Sequence, residues 1–110
     1  MSSFPIKQGD TAPSLRAILS NTEGPINLTG TTVKFAMKPA PTRANANPLE
    51  ILVVAVVEEP LSGLVRYDWS ATDTALAGPY VGEFIVTSSA GKVERYPSSG
   101  FISVTILPNI

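Results

Sequence analysis

The groups in this chain that could carry chemistry form a short list. There are nine carboxylates and eight lysine or arginine side chains, but no histidine and no cysteine. That removes the usual nucleophile–base pairs and the imidazole and thiolate metal sites. No glycine-rich phosphate loop, G-x-S-x-G or H-E-x-x-H occurs. What remains is carboxylate chemistry, from Glu58 beside Glu59, or from Asp68 if its strand neighbours that of Glu83. Two carboxylates share acid–base work when a cleft drives their pKa values apart. These four instead fall at a strand end and on outward faces, where water solvates them. No loop gathers the oxygen ligands that calcium needs. Asn27-Leu28-Thr29 has the form of a glycosylation sequon, but it lies at a strand end and reads as coincidence. The expectation is therefore a protein that is not an enzyme, with no catalytic residue, no metal and no cofactor.

Binding needs less than catalysis, and three places could supply it. Tyr67 and Trp69 could form a sugar-stacking platform, yet they alternate with Arg66 and Asp68, which favours a core position. Arg43 lies in a proline-bounded loop and is the better contact residue, since arginine is enriched at interface hot spots. The stretch from Leu49 to Val57 is apolar on both faces, with Ile51, Val53, Ala55 and Val57 on one and Leu52, Val54 and Val56 on the other. Only one face of a sandwich strand meets the core. Either a partner covers Leu52, Val54 and Val56, or the loop Pro39–Pro48 or a chain end folds over them.

The elements that must position these residues are strands. With 110 residues, one domain spanning 1–110 can bury one core. Period-2 alternation runs through Phe4-Ile6, Leu15-Ala17-Leu19, Val33-Phe35-Met37, Val65-Tyr67-Trp69, Tyr80-Gly82-Phe84-Val86 and Ile102-Val104-Ile106. The first two sets read as one edge strand broken near Pro13, and Leu49–Val57 reads as a single strand. Turn signals recur about every ten residues, which predicts an all-β, immunoglobulin-like antiparallel sandwich of seven to nine strands. One short helical turn is expected near 71–77. Ser70 and Asp73 have capping-box spacing, Gly78 can end the turn and Pro79 forbids its continuation. Asp73, Gly78 and Tyr80 also fit a tyrosine corner, in which the Tyr80 hydroxyl bonds back to the preceding turn. Gly82 stands where antibody domains have cysteine.

Composition narrows the setting. Net charge is −1 and the basic residues are scattered, so nucleic acid is not an expected partner. The longest apolar run, Ile51–Val57, is far short of the roughly 20 residues of a spanning helix, and the N-terminus has no signal-peptide form. No membrane partner is expected, and synthesis in a reducing cytoplasm suits the lack of cysteine. Charged residues make up 15% of the chain against about 25% in a typical domain. A hydroxyl-rich surface of this kind is cheaper to desolvate in an assembly, although it also falls within the variation of small β domains.

Several segments taken together resemble a known family. Phe4-Pro5-Ile6-Lys7-Gln8-Gly9-Asp10-Thr11-Ala12-Pro13-Ser14-Leu15-Arg16-Ala17, Asn27-Leu28-Thr29-Gly30 with Val33–Lys38, Gly63–Thr74, Ala77–Phe84 and Val93–Gly100 occur in order. They resemble small phage and prophage domains related to the N-terminal part of BppU-type upper baseplate proteins. The resemblance implies an immunoglobulin-like structural protein of a phage virion, in a tail, baseplate, neck or capsid-surface setting. It implies as partners other virion proteins and further copies of the chain, with localisation in the virion after synthesis in the bacterial host. Baseplate proteins of this type continue beyond the domain, whereas this chain ends at Ile110. The residues from Pro39 to Val57 match nothing in the family. A carbohydrate- or receptor-binding module on the virion surface is the alternative function.

Overall fold

The computed structural model describes residues 3–40, 51–97 and 101–110. Strands account for more than half of the described residues: β1 (Ser3–Lys7), β2 (Leu15–Ile18), β3 (Ser20–Asn21), β4 (Gly24–Pro25), β5 (Thr32–Pro39), β6 (Ile51–Val54), β7 (Val56–Glu59), β8 (Leu64–Tyr67), β9 (Gly78–Thr87), β10 (Val93–Tyr96) and β11 (Ile102–Leu107). One sheet has the order β1-β11-β9-β5-β6, with β10 also paired to β9. A second sheet, β2-β8-β7, packs across it, and β3-β4 is a short separate ribbon. This is an all-β sandwich.

Alternation along the strands builds the core. Tyr80, Gly82, Phe84 and Val86 on β9 and Val33, Phe35 and Met37 on β5 face inward from the large sheet. Val65 and Tyr67 on β8, followed by Trp69, meet them from the small one. Phe35 is the hub: its ring lies 4.7 Å from Tyr67, 5.1 Å from Phe84 and 5.9 Å from Trp69. Offset and edge-on aromatic pairs of this kind add to simple burial. Gly82 is required beneath Phe35, because a Cβ there would sit 2.8 Å from the ring.

Four features depart from the sequence expectation. First, the sheets are not wholly antiparallel, since β1 runs parallel to β11. Alternation tells which face a residue takes but not the direction of its neighbour. Second, β1 and β2 belong to different sheets, so the break near Pro13 is a crossing between layers. Third, Ile51–Val57 is likewise two strands, β6 in the large sheet and β7 in the small one. The switch falls at Ala55, which is buried and donates its N–H to the Val33 carbonyl at 2.8 Å. Fourth, residues 71–77 hold two overlapping turns in place of a helix, Asp73 N–H to Ser70 O at 3.0 Å and Ala75 N–H to Thr72 O at 3.4 Å. Among the described residues the one helix is a 3₁₀ turn at Pro60–Ser62, closed by Gly63 in the left-handed region at φ 68°. Eleven strand segments among the described residues replace the seven to nine expected, because two long strands are split and β3-β4 is added.

Candidate interaction surface

The turn after Trp69 is held by one carboxylate. Asp73 Oδ2 accepts from the Tyr67 hydroxyl at 2.6 Å and from the Ser70 N–H at 2.9 Å, while Ser70 Oγ accepts from the Asp73 N–H at 3.3 Å. That is the reciprocal pairing of a capping box, here closing a turn. Burial, and then the bond to Asp73, push the Tyr67 phenol well above its ordinary pKa. The Tyr80 hydroxyl donates to the Leu76 carbonyl at 2.8 Å, four residues upstream, the geometry of a tyrosine corner. Gly78 opens β9 opposite Ile106. Asp73 and Tyr80 thus serve the same connection through different acceptors.

Of the carboxylates singled out for acid–base chemistry, Glu58, Asp68 and Glu83 are spread over ion pairs, and Glu59 stands exposed at the end of β7. On the outer face of the small sheet, Glu58 lies 2.8 Å from Arg16 and 3.1 Å from Arg66. Arg66 also reaches Asp68 at 2.9 Å, and Asp68 accepts from Ser14 Oγ at 2.6 Å. The hydrogen bond from Arg16 lowers the Glu58 pKa, and those from Ser14 and Arg66 lower that of Asp68. Both carboxylates are held ionised, the opposite of what a general acid needs. Glu83 belongs to the other sheet and pairs with Arg95 at 3.2 Å, so Asp68 and Glu83 are not brought together. Among the described residues no three acidic side chains converge to hold a metal ion.

Tyr67 and Trp69 lie in the core, each 4% exposed. Tyr80, Tyr96, Phe35 and Phe84 are buried as well, which leaves Phe101 as the exposed aromatic side chain among the described residues. The Trp69 Nε1–H has no acceptor among the described residues. Arg43 lies outside the described residues.

Leu52, Val54 and Val56 are exposed at 51%, 61% and 40%. The structure does not place them on one flat face. Leu52 and Val54 stand on the outer face of the large sheet, and Val56 stands on that of the small sheet, opposite Arg66. The strand register shows what surrounds the first two. Val54 lies beside Lys34, then Ile85, then Arg95; Leu52 lies beside Ala36, then Glu83; Lys38 lies beside Val81, then Ser103. Phe101 borders the same area, lining a shallow groove with Ala36, Lys38, Val81 and Glu83. The alternation of Val33, Phe35 and Met37 turns Lys34 and Lys38 outward, but nothing in the sequence shows that Leu52 and Val54 share their face. Only the pairing of β5 with β6 reveals that. A second apolar groove of about 380 Å³, lined by Ala17, Ile18, Leu19, Tyr96, Pro97 and Ile102, opens between the two sheets beside β2.

These features define a class: a two-sheet β-sandwich in which Glu58, Asp68 and Glu83 are engaged in ion pairs and whose large sheet turns a partly apolar face to solvent. Its architecture is similar to a solved phage domain. The structure matches the N-terminal domain of phage TP901-1 ORF48 with a TM-score of 0.57 and 13% sequence identity, over 99% of this chain and 86% of that one. No family model matches the sequence, and no curated protein matches it either. Among the described residues no helix is long and apolar enough to cross a membrane.

Proposed function

We propose that the chain is a structural protein of a phage virion, acting through protein–protein contacts in a tail, baseplate, neck or capsid-surface setting. The observation that carries this reading is the shared fold with the phage TP901-1 ORF48 domain over 99% of the chain. The ordered sequence segments that resemble BppU-type baseplate domains point the same way. The contact surface in this reading is the outer face of the large sheet around Leu52 and Val54. Val56 extends it around the edge where the strand changes sheets. Partners are other virion proteins, with further copies of the chain repeated around the particle. The glycan-binding alternative is less well supported, because the one exposed aromatic side chain is Phe101, at 45%. The test is mass spectrometry and electron cryomicroscopy of purified particles of the phage that encodes the chain. This reading expects the chain at stoichiometric copy number, and its absence from particles would overturn it.

A further inference from the structure

The charge on this molecule is unevenly distributed. Among the described residues, the outer face of the large sheet carries Lys7, Lys34, Lys38 and Arg95 against one carboxylate, Glu83. Four cations against one anion give that face a formal charge of +3. The chain as a whole is −1, so everything else carries −4. Glu83 is already taken by Arg95. Among the described residues, no carboxylate forms an ion pair with Lys34 or Lys38. The small sheet differs: its outer face sets Arg16 and Arg66 against Glu58 and Asp68 and balances internally.

The two lysines lie within the apolar area. Lys34 separates Val54 from Ile85, and Lys38 stands beside Val81, two residues along from Ala36. With strands about 4.8 Å apart and same-face residues about 6.7 Å apart, the lysines flank a strip about 13 Å long that Leu52, Ala36 and Glu83 cross. A protein that covers Leu52 and Val54 must also desolvate or pair these ammonium groups. A neutral apolar partner would leave them buried without a counter-charge, which is strongly unfavourable. A second copy docked face to face by a two-fold axis would bring two faces of the same net positive charge together, because an isologous contact repeats the same patch on both sides.

Resting on the reading of this face as a protein-contact surface, we propose that its occupant is a different protein surface, one with acidic side chains placed beside an apolar strip. The sheet is then a one-sided connector, with a cationic–apolar face toward its partner and an acidic remainder turned away. Complementary charge fixes register and speeds encounter, while Leu52 and Val54 supply the desolvated centre.

The test titrates the ¹⁵N-labelled full chain with two defined probes, an extended peptide alternating valine with aspartate and its valine–lysine counterpart. The expected result is amide shifts at Lys34, Ala36, Lys38, Leu52, Val54 and Ile85 with the acidic peptide alone, diminishing as salt is added. Lys34→Glu with Lys38→Glu should weaken that binding about tenfold, and Lys34→Arg with Lys38→Arg should retain it. Equal response to both peptides would overturn the proposal. So would shifts confined to β2, β7 and β8, or concentration-dependent shifts of these same amides without peptide, which mark self-pairing. Absence of the chain from particles bears on the virion reading alone, so the two failures are distinct.

Discussion

Asp73 should contribute more to stability than its position in a surface turn suggests. Truncation to alanine removes the acceptor of the Tyr67 hydroxyl, on a side chain only 4% exposed, and of the Ser70 N–H. Leaving a buried hydroxyl unpaired costs about 1–3 kcal/mol, and losing the cap costs about 1 kcal/mol. The expected loss for Asp73→Ala is therefore about 3 kcal/mol. With an unfolding entropy of about 2.1 cal/mol/K per residue, a 110-residue chain loses about 4 °C in Tm per kcal/mol, so the shift should be about 12 °C. Tyr67→Phe alone should cost about 1 kcal/mol, because it removes donor and acceptor demand together. The double variant should then be more stable than the sum of the singles by about 1–2 kcal/mol. Urea unfolding of all four proteins, followed by tryptophan fluorescence, measures the cycle. Additivity of the two substitutions, or a loss below about 1 kcal/mol for Asp73→Ala, would refute the claim that this carboxylate couples the turn to the core.

Other outcomes follow from the same geometry. Gly63→Ala should be among the most damaging single changes, at about 2–5 kcal/mol by denaturant unfolding, because Gly63 sits at positive φ and a Cβ would lie 2.4 Å from the Leu19 carbonyl oxygen. Gly82→Ala should cost about 1–3 kcal/mol, since the Phe35 ring has no room to move aside. The folded-state pKa values of Glu58 and Asp68 are lowered, so their stabilisation is present at neutral pH and lost as pH falls through those values. Unfolding midpoints followed across the acid range should fall less steeply for Glu58→Gln with Asp68→Asn; an unchanged slope would contradict the assignment. The Tyr67 phenol is shifted the other way, so its contribution is full below the ordinary tyrosine pKa and lost as pH rises above about 10. Tyr67→Phe should flatten that alkaline limb.

The sandwich and much of its core were legible because alternation reports burial directly. Tyr80, Phe84 and Val86, and likewise Val65, Tyr67 and Trp69, point where period 2 places them. The spacing of Ser70 to Asp73 and of Leu76 to Tyr80 is local, so its hydrogen bonds were within reach of sequence reasoning. What stayed hidden depends on which strands become neighbours. Alternation in 51–57 continues unbroken through Ala55, so nothing local marks where the chain changes sheets. The parallel pairing of β1 with β11 joins the two ends of the chain. The Arg16–Glu58 pair spans 42 residues, and its logic appears only once β2, β8 and β7 lie side by side. The cationic character of the candidate surface was hidden for the same reason, because Lys34 and Val54 become neighbours only through the β5–β6 ladder.

We propose that the outer face of the large sheet, around Leu52 and Val54, holds the chain in a virion. The direct measurement replaces both residues with lysine in the phage genome and quantifies the chain in purified particles by mass spectrometry, alongside the Tm of the isolated variant. Both side chains are at least half exposed, so stability should change by no more than about 0.5 kcal/mol. The account predicts a stable, folded variant that is depleted from particles at least about tenfold, as expected when an apolar interface centre gains two charges. A variant incorporated at the wild-type copy number would contradict it.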